Sequence, residues 1–211
     1  LKNIERLKYG IFAVLCVLVF YPPYGRGLFF DDELLPFNVI SFALFMVYMA
    51  YKLAKNELRL FATPVDYAVL GLAAAHLLPL VFTLPASVRG AVGEFVKYCN
   101  YLAIFLLVKE FAGNRAYTAI MLNAIAACAF CAALLGMDAT AGERLAKAVE
   151  AVINVTGMQF RLFELYVDGR IHGVLQYPNT FAAFLMAGFV VITGLLAAAR
   201  GVVRKGLYGG M

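Results

Sequence analysis

The chain has 211 residues, of which 64% are hydrophobic and 15% charged, with a mean hydropathy of +0.83; a soluble domain carries only about 45–50% apolar residues. These figures argue against soluble, disordered, collagenous and disulfide-stapled secreted chains, none of which joins long apolar runs to four scattered cysteines. The net charge of +5 is dispersed through short polar breaks and forms no concentrated basic face, so nucleic acid is not an expected partner. What remains is an all-α, polytopic membrane protein.

Each crossing needs about 20 mostly apolar residues, and six runs meet that demand in chain order. The first extends over Tyr9 to Tyr21, is closed by Pro22 and Pro23, and lacks the small-residue cleavage site of a signal peptide. The second covers Pro36 to Leu53. The third covers Thr63 to Leu84 and is interrupted by His76 and Pro79. The fourth covers Gly93 to Val108, the fifth Tyr117 to Met137 and the sixth Pro178 to Ala199. All four cysteines, Cys16, Cys99, Cys128 and Cys131, fall inside these runs, where a thiol behaves as a small hydrophobe. The pair Cys128 and Cys131 has no second pair, histidine or carboxylate near it in the sequence, so it reads as helix interior.

Lys and Arg in short loops set orientation. One side collects Lys2, Arg6, Lys8, Lys52, Lys55, Arg59, Lys109, Arg115, Arg200, Arg204 and Lys205, eleven of the 18. This predicts a cytoplasmic N-terminus. The opposite side then receives Asp31-Asp32-Glu33 and the long segment 138–177, the least membrane-like stretch of a single membrane domain, 1–211. Within that segment, Leu145, Val149, Val152 and Ile153 recur at helical spacing with Glu143, Lys147, Glu150 and Asn154 opposite them. An amphipathic helix lying along the outer membrane surface is expected, with Thr140 and Glu143 as a capping box and Glu143–Lys147 as an i,i+4 pair. From Phe160 to Val174, Asp168-Gly169 between β-forming residues suggests a tight hairpin.

Polar groups inside spans are costly and tend to mark function. Asp66 reads as an acid at a helix start, and His76 as a neutral imidazole bonded to a neighbouring helix. Glu94 and Lys97 are spaced to neutralise each other, although Lys97 with Arg89 would alternatively add charge to an external anion site. Asn100 and Asn123 read as interhelical hydrogen-bond donors.

Just before the sixth span stands Arg170-Ile-His-Gly-Val-Leu-Gln-Tyr-Pro-Asn-Thr-Phe-Ala. Pro178 suits a first helical position. Asn179 and Thr180 either satisfy the free N–H groups there or, with Arg170, surround a bound phosphate or diphosphate.

This stretch resembles the R-x-x-G-x-x-x-x-P-N-x-x-A motif of the O-antigen ligase and O-antigen polymerase family of bacterial membrane proteins, with Arg170, Gly173, Pro178, Asn179 and Ala182 at its positions. The resemblance implies a GT-C-like fold in the bacterial cytoplasmic membrane. It also implies a glycosyltransferase that moves a glycan from a polyprenyl diphosphate carrier to an acceptor at the outer face, without nucleotide sugar or other cofactor. Substrate contacts are then expected at Arg170, His172 and Asn179, with Arg161, Arg89 and Lys97 as further cations. The family's base is a histidine in a later external loop that no residue here matches. His172, lying within the motif, reads as a local structural or substrate-contact residue. Family members continue beyond the motif, so the chain is expected to be the N-terminal portion of a longer protein. The competing readings are a small-solute transporter, which would show paired broken helices in its two halves, and a non-catalytic membrane subunit.

Overall fold

In a computed structural model describing residues 2–82, 88–157, 161–162 and 164–211, the described chain is mainly helical. The helices are α1 (Lys2–Phe20), α2 (Asp31–Ala54), α3 (Pro64–Ala75), α4 (Leu78–Phe82), α5 (Val88–Ala112), α6 (Arg115–Thr140), α7 (Arg144–Asn154), α8 (Pro178–Ala198) and α9 (Val202–Gly209). Two-residue strands, β1 (Tyr166–Val167) and β2 (Arg170–Ile171), lie between α7 and α8. Among the described residues, six helical stretches are long and apolar enough to cross a membrane, α3 and α4 together making the third. Residues 83 and 84 of the third expected span, and Phe160 at the head of the expected hairpin, lie outside the described residues.

The helices extend past the apolar runs because polar residues at their ends still propagate the backbone hydrogen-bond ladder. Helix α2 begins at Asp31, with three acids in its first turn complementing the helix dipole and Pro36 near its start. The third span breaks where proline requires. Pro79 would meet the carbonyl of the residue four before it, Ala75, and α3 ends there, with His76 as its C-terminal cap and Leu77 ahead of α4.

Two compact units divide the chain. The first, Leu1–Leu18 with Leu34–Thr118, packs Phe12 against Phe111 and Tyr117 at ring-centroid distances of 5.0 and 4.5 Å, over a core that includes Leu15, Leu44, Leu106 and Leu107. Three buried polar side chains join α2 to α5: Asn100 Nδ2 donates to Asn38 Oδ1, and Ser41 Oγ donates to Asn100 Oδ1 at 2.6 Å. At one end of this unit, Glu110 accepts from Lys52 Nζ and Tyr48 Oη, both at 3.1 Å, with Lys8 Nζ at 4.0 Å. Lys109 donates to Asp66 Oδ2 at 2.5 Å. Asp66 also accepts from the backbone of Ala62 and Thr63, forming a capping box with the Thr63 hydroxyl. The starts of α1 and α3 and the ends of α2 and α5 thus share one end, as alternating crossings require. The acid expected at a helix start is there, and it has an ion-pair partner besides.

The second unit, Val19–Glu33 with Ala119–Met211, has a core of Ala132, Leu135, Ala139, Ala146, Leu165, Val174 and Phe181. Helices α6 and α8 approach so closely at Ala129 and Gly188 that a Cβ on Gly188 would collide with the alanine methyl. Tyr24 Oη donates to the Cys128 carbonyl at 2.9 Å, and Cys128 Sγ donates to the Phe20 carbonyl at 3.3 Å. Arg26 pairs with Asp32 and Glu33 and lies over the Phe30 ring. Large side chains on span surfaces, such as Val39, Met46, Val81 and Phe189, are 62–75% exposed. Apolar outward faces of this kind suit a lipid solvent.

Four sequence expectations are corrected. Thr140 does not cap α7: it ends α6 and donates to the Met137 carbonyl at 2.8 Å. Glu143, at φ 60°, makes no side-chain cap either; Asp138, one turn back in α6, accepts from Ala146 N at 2.9 Å and does the work of a cap. The expected apolar stripe of α7 is divided, because its inward face centres on buried Ala146 with Val149 and Ile153 half-buried, while Leu145 and Val152 point outward, 42% and 70% exposed. Asn123 Nδ2 donates to Ala119 O of its own helix, and His76 Nδ1 bonds Leu72 O of its own helix while its ring stacks on Tyr98 of α5.

Candidate functional site

The motif segment is built from two turns and a helix start. Strands β1 and β2 pair antiparallel, Tyr166 with Ile171 and Val167 with Arg170. Their connection needs two left-handed residues, supplied by Asp168 (φ 49°) and Gly169 (φ 75°), which is the two-residue hairpin expected of Asp-Gly. The N–H groups of His172 and Gly173 both donate to the Leu165 carbonyl, at 2.9 and 3.0 Å, which folds the chain into the 3-10 turn Gly173–Leu175. Gly173 has φ +57°, and a Cβ on it would lie about 2.5 Å from the Phe181 ring. The motif glycine is therefore fixed by backbone conformation and by the aromatic ring against it.

Helix α8 then starts with Tyr177 as an extended N-cap residue and Pro178 in its first turn. No side chain caps it. Asn179 and Thr180 are exposed, so the capping role considered for them is not the one they take. Arg170 is exposed and makes no ion pair among the described residues. His172 is half-buried, and its Nδ1 sits 3.1 Å from the Gln176 carbonyl. A carbonyl there accepts from a proton on Nδ1. The motif thus separates into a packed half, Gly173 and Pro178, and a presented half, Arg170, Asn179 and the uncapped N–H groups of α8.

The other expected site residues lie elsewhere. Arg161 lines a cleft of about 580 Å³ with Glu143, Lys147, Glu150, Glu164 and Tyr166. Arg170, His172 and Asn179 are not among its lining residues. Three carboxylates against two cations make this cleft a poor host for a diphosphate. Arg89 and Lys97 belong to α5 in the first unit; Arg89 is exposed, and Lys97 donates to Glu94 Oε1 at 2.8 Å, the mutual neutralisation their spacing predicts. Among the described residues, no group of three or more His, Cys, Asp or Glu side chains is placed to hold a metal ion.

Sequence reasoning anticipated Asn100 as an interhelical donor, as its bond to Asn38 shows, but not the partners Asn38 and Ser41, and it missed the cluster Lys8–Lys52–Glu110. The polar residue within an apolar run announced the first; nothing local announced the second, since Lys8 and Lys52 read as loop cations. No family model, curated protein or solved structure matches the chain. The class that its fold defines is the multi-pass, all-helical membrane proteins with six apolar helices long enough to span.

Proposed function

We propose that this chain takes part in glycan transfer from a polyprenyl-diphosphate-linked donor at the outer face of a bacterial cytoplasmic membrane, in the manner of an O-antigen ligase or polymerase with a GT-C-like fold, its N-terminus cytoplasmic. The observation that carries the reading is the presented half of the motif: an exposed Arg170 with no ion pair among the described residues, followed within one short turn by a helix start whose N–H groups no described side chain caps. A guanidinium and a positive helix end together suit a diphosphate that gains charge as the glycosidic bond breaks. The acceptor hydroxyl attacks the anomeric carbon and releases its proton to solvent, and the electron pair of the broken C–O bond departs on the diphosphate. Asn179 contributes an amide to the same phosphate, and His172 holds the turn with one nitrogen while offering the other to substrate. On this reading α7 lies along the outer leaflet, with Leu145, Val152 and Val155 turned toward lipid.

The test measures both binding of polyprenyl diphosphate to the purified protein and glycan transfer in cells. Arg170→Ala is expected to weaken binding and transfer at least tenfold, and Arg170→Lys to weaken them less, since a point charge loses the forked hydrogen bonds. Unchanged binding and transfer in Arg170→Ala overturn the assignment. Reporter fusions check orientation: one after Lys55 is expected to be active in the cytoplasm and one after Gly157 outside it.

A further inference from the structure

We propose that α9 is a membrane-interface helix that seats Val202, Val203 and Leu207 among acyl chains and gathers anionic lipid headgroups with Arg200, Arg204 and Lys205. The inference is independent of glycan transfer and requires only that α6 and α8 span a bilayer. Helix α9 follows directly from the last span, since α8 ends at Ala198 and only Ala199, Arg200 and Gly201 intervene. At about 100° per residue, Val202, Val203 and Leu207 fall within one arc, and Tyr208 projects about 160° from its centre. That tyrosine is anchored: its hydroxyl donates to Asn123 Oδ1 of α6 at 2.8 Å. The polar face of α9 is thus turned toward the protein, and its apolar face away from it, with Val202 89%, Val203 86% and Leu207 55% exposed.

The anchor also fixes depth. Asn123 lies eight residues into α6, about 12 Å from the start of that helix at 1.5 Å per residue. With 26 residues, α6 is about 39 Å long, longer than the roughly 30 Å hydrocarbon core. Centred in the bilayer, it places the Tyr208 hydroxyl about 7 Å inside the core boundary, within the roughly 5–10 Å at which interfacial helices seat. Water is therefore a poor occupant for the valine face and lipid a good one. Arg200, Arg204 and Lys205 are exposed and have no ion pair among the described residues. Arg204 and Lys205 flank Tyr208 on the wheel, so their long stems can rise from that depth to the headgroups. Three uncompensated cations beside an acyl-seated face select anionic over zwitterionic lipid.

The chain contains no tryptophan, so Val203→Trp introduces a single fluorescent probe on the outward face. The full chain carrying it is reconstituted into phosphatidylcholine vesicles doped at equal mole fraction with brominated phosphatidylcholine or brominated phosphatidylglycerol. Blue-shifted emission and quenching by both lipids are expected, with quenching by the glycerol lipid at least twofold stronger. The excess is expected to vanish in high salt and in Arg200→Gln/Arg204→Gln/Lys205→Gln, while quenching by the choline lipid persists. Water-like emission without quenching overturns the proposal by leaving the face in solvent. Blue-shifted emission without quenching overturns it by showing protein, such as a second copy of the chain, over the valines. Equal quenching by the two lipids, or an excess that survives the triple substitution, overturns headgroup selection.

Discussion

Gly173 and Gly169 both take positive φ, yet they stand in different surroundings, and a substitution separates the two effects. Alanine at Gly169 meets nothing within 4 Å, so it incurs only the cost of a left-handed residue, about 1–2 kcal/mol. Alanine at Gly173 incurs that cost and also drives a methyl into the Phe181 ring, for a total of about 2–5 kcal/mol. Chemical unfolding in detergent is expected to rank Gly173→Ala well below Gly169→Ala in stability. The sequence made the Asp168-Gly169 turn readable because a left-handed dipeptide has a local signature. It did not reveal why position 173 must be glycine, since the ring that excludes a side chain lies eight residues on and reaches back only after α8 has packed. Asp66 shows the same division. Its place at a helix start could be read from Thr63-Pro64 and the apolar run that follows, whereas its bond to Lys109 depends on α3 and α5 meeting.

Among the elements, α6 and α8 show how spans associate without a hydrophobic drive between them. Lipid tails are as apolar as side chains, so close backbone approach and van der Waals contact decide the pairing. Gly188 against Ala129 is such an approach, while Gly194, in the same helix, has open space around its would-be Cβ. Gly188→Val is therefore expected to destabilise the second unit by about 1–3 kcal/mol through overpacking, and Gly194→Val to be nearly neutral, as read by thermal unfolding of the purified protein. Helix α7 is held at its start by Asp138 in place of a local cap. Asp138→Ala is expected to speed amide exchange over residues 144–148 and leave the middle of α6 unchanged in the same measurement. Span positions were legible because twenty apolar residues have few alternatives. The α7 cap was misread because an aspartate in the preceding helix competes for the same N–H groups, and periodicity within α7 does not report it.

For the molecule as a whole, charge does two jobs at one end of the first unit. The lysines that predict orientation as loop cations also bind acids: Lys8 and Lys52 converge on Glu110, and Lys109 on Asp66. Glu110→Ala leaves Lys52, 9% exposed, with the more distant Glu57 as its one ion-pair partner among the described residues, and a loss of about 2–3 kcal/mol is expected. Adding Lys52→Met to Glu110→Ala is expected to recover part of it, because the stranded charge is then gone; a double-mutant cycle on unfolding free energies checks the coupling. The buried triad of Asn38, Ser41 and Asn100 has a consequence in time. Asn38 and Asn100 are 62 positions apart, which at roughly 5–20 residues per second is about 3–12 s of synthesis. For that interval the Asn38 amide of α2 lacks its partner on α5, while the Ser41 hydroxyl can already donate to the Asn38 carbonyl of its own helix, 3.1 Å away. Slowing translation between the two helices is therefore expected to lengthen the period in which α2 carries an unpaired amide, read as greater protease sensitivity of the nascent protein.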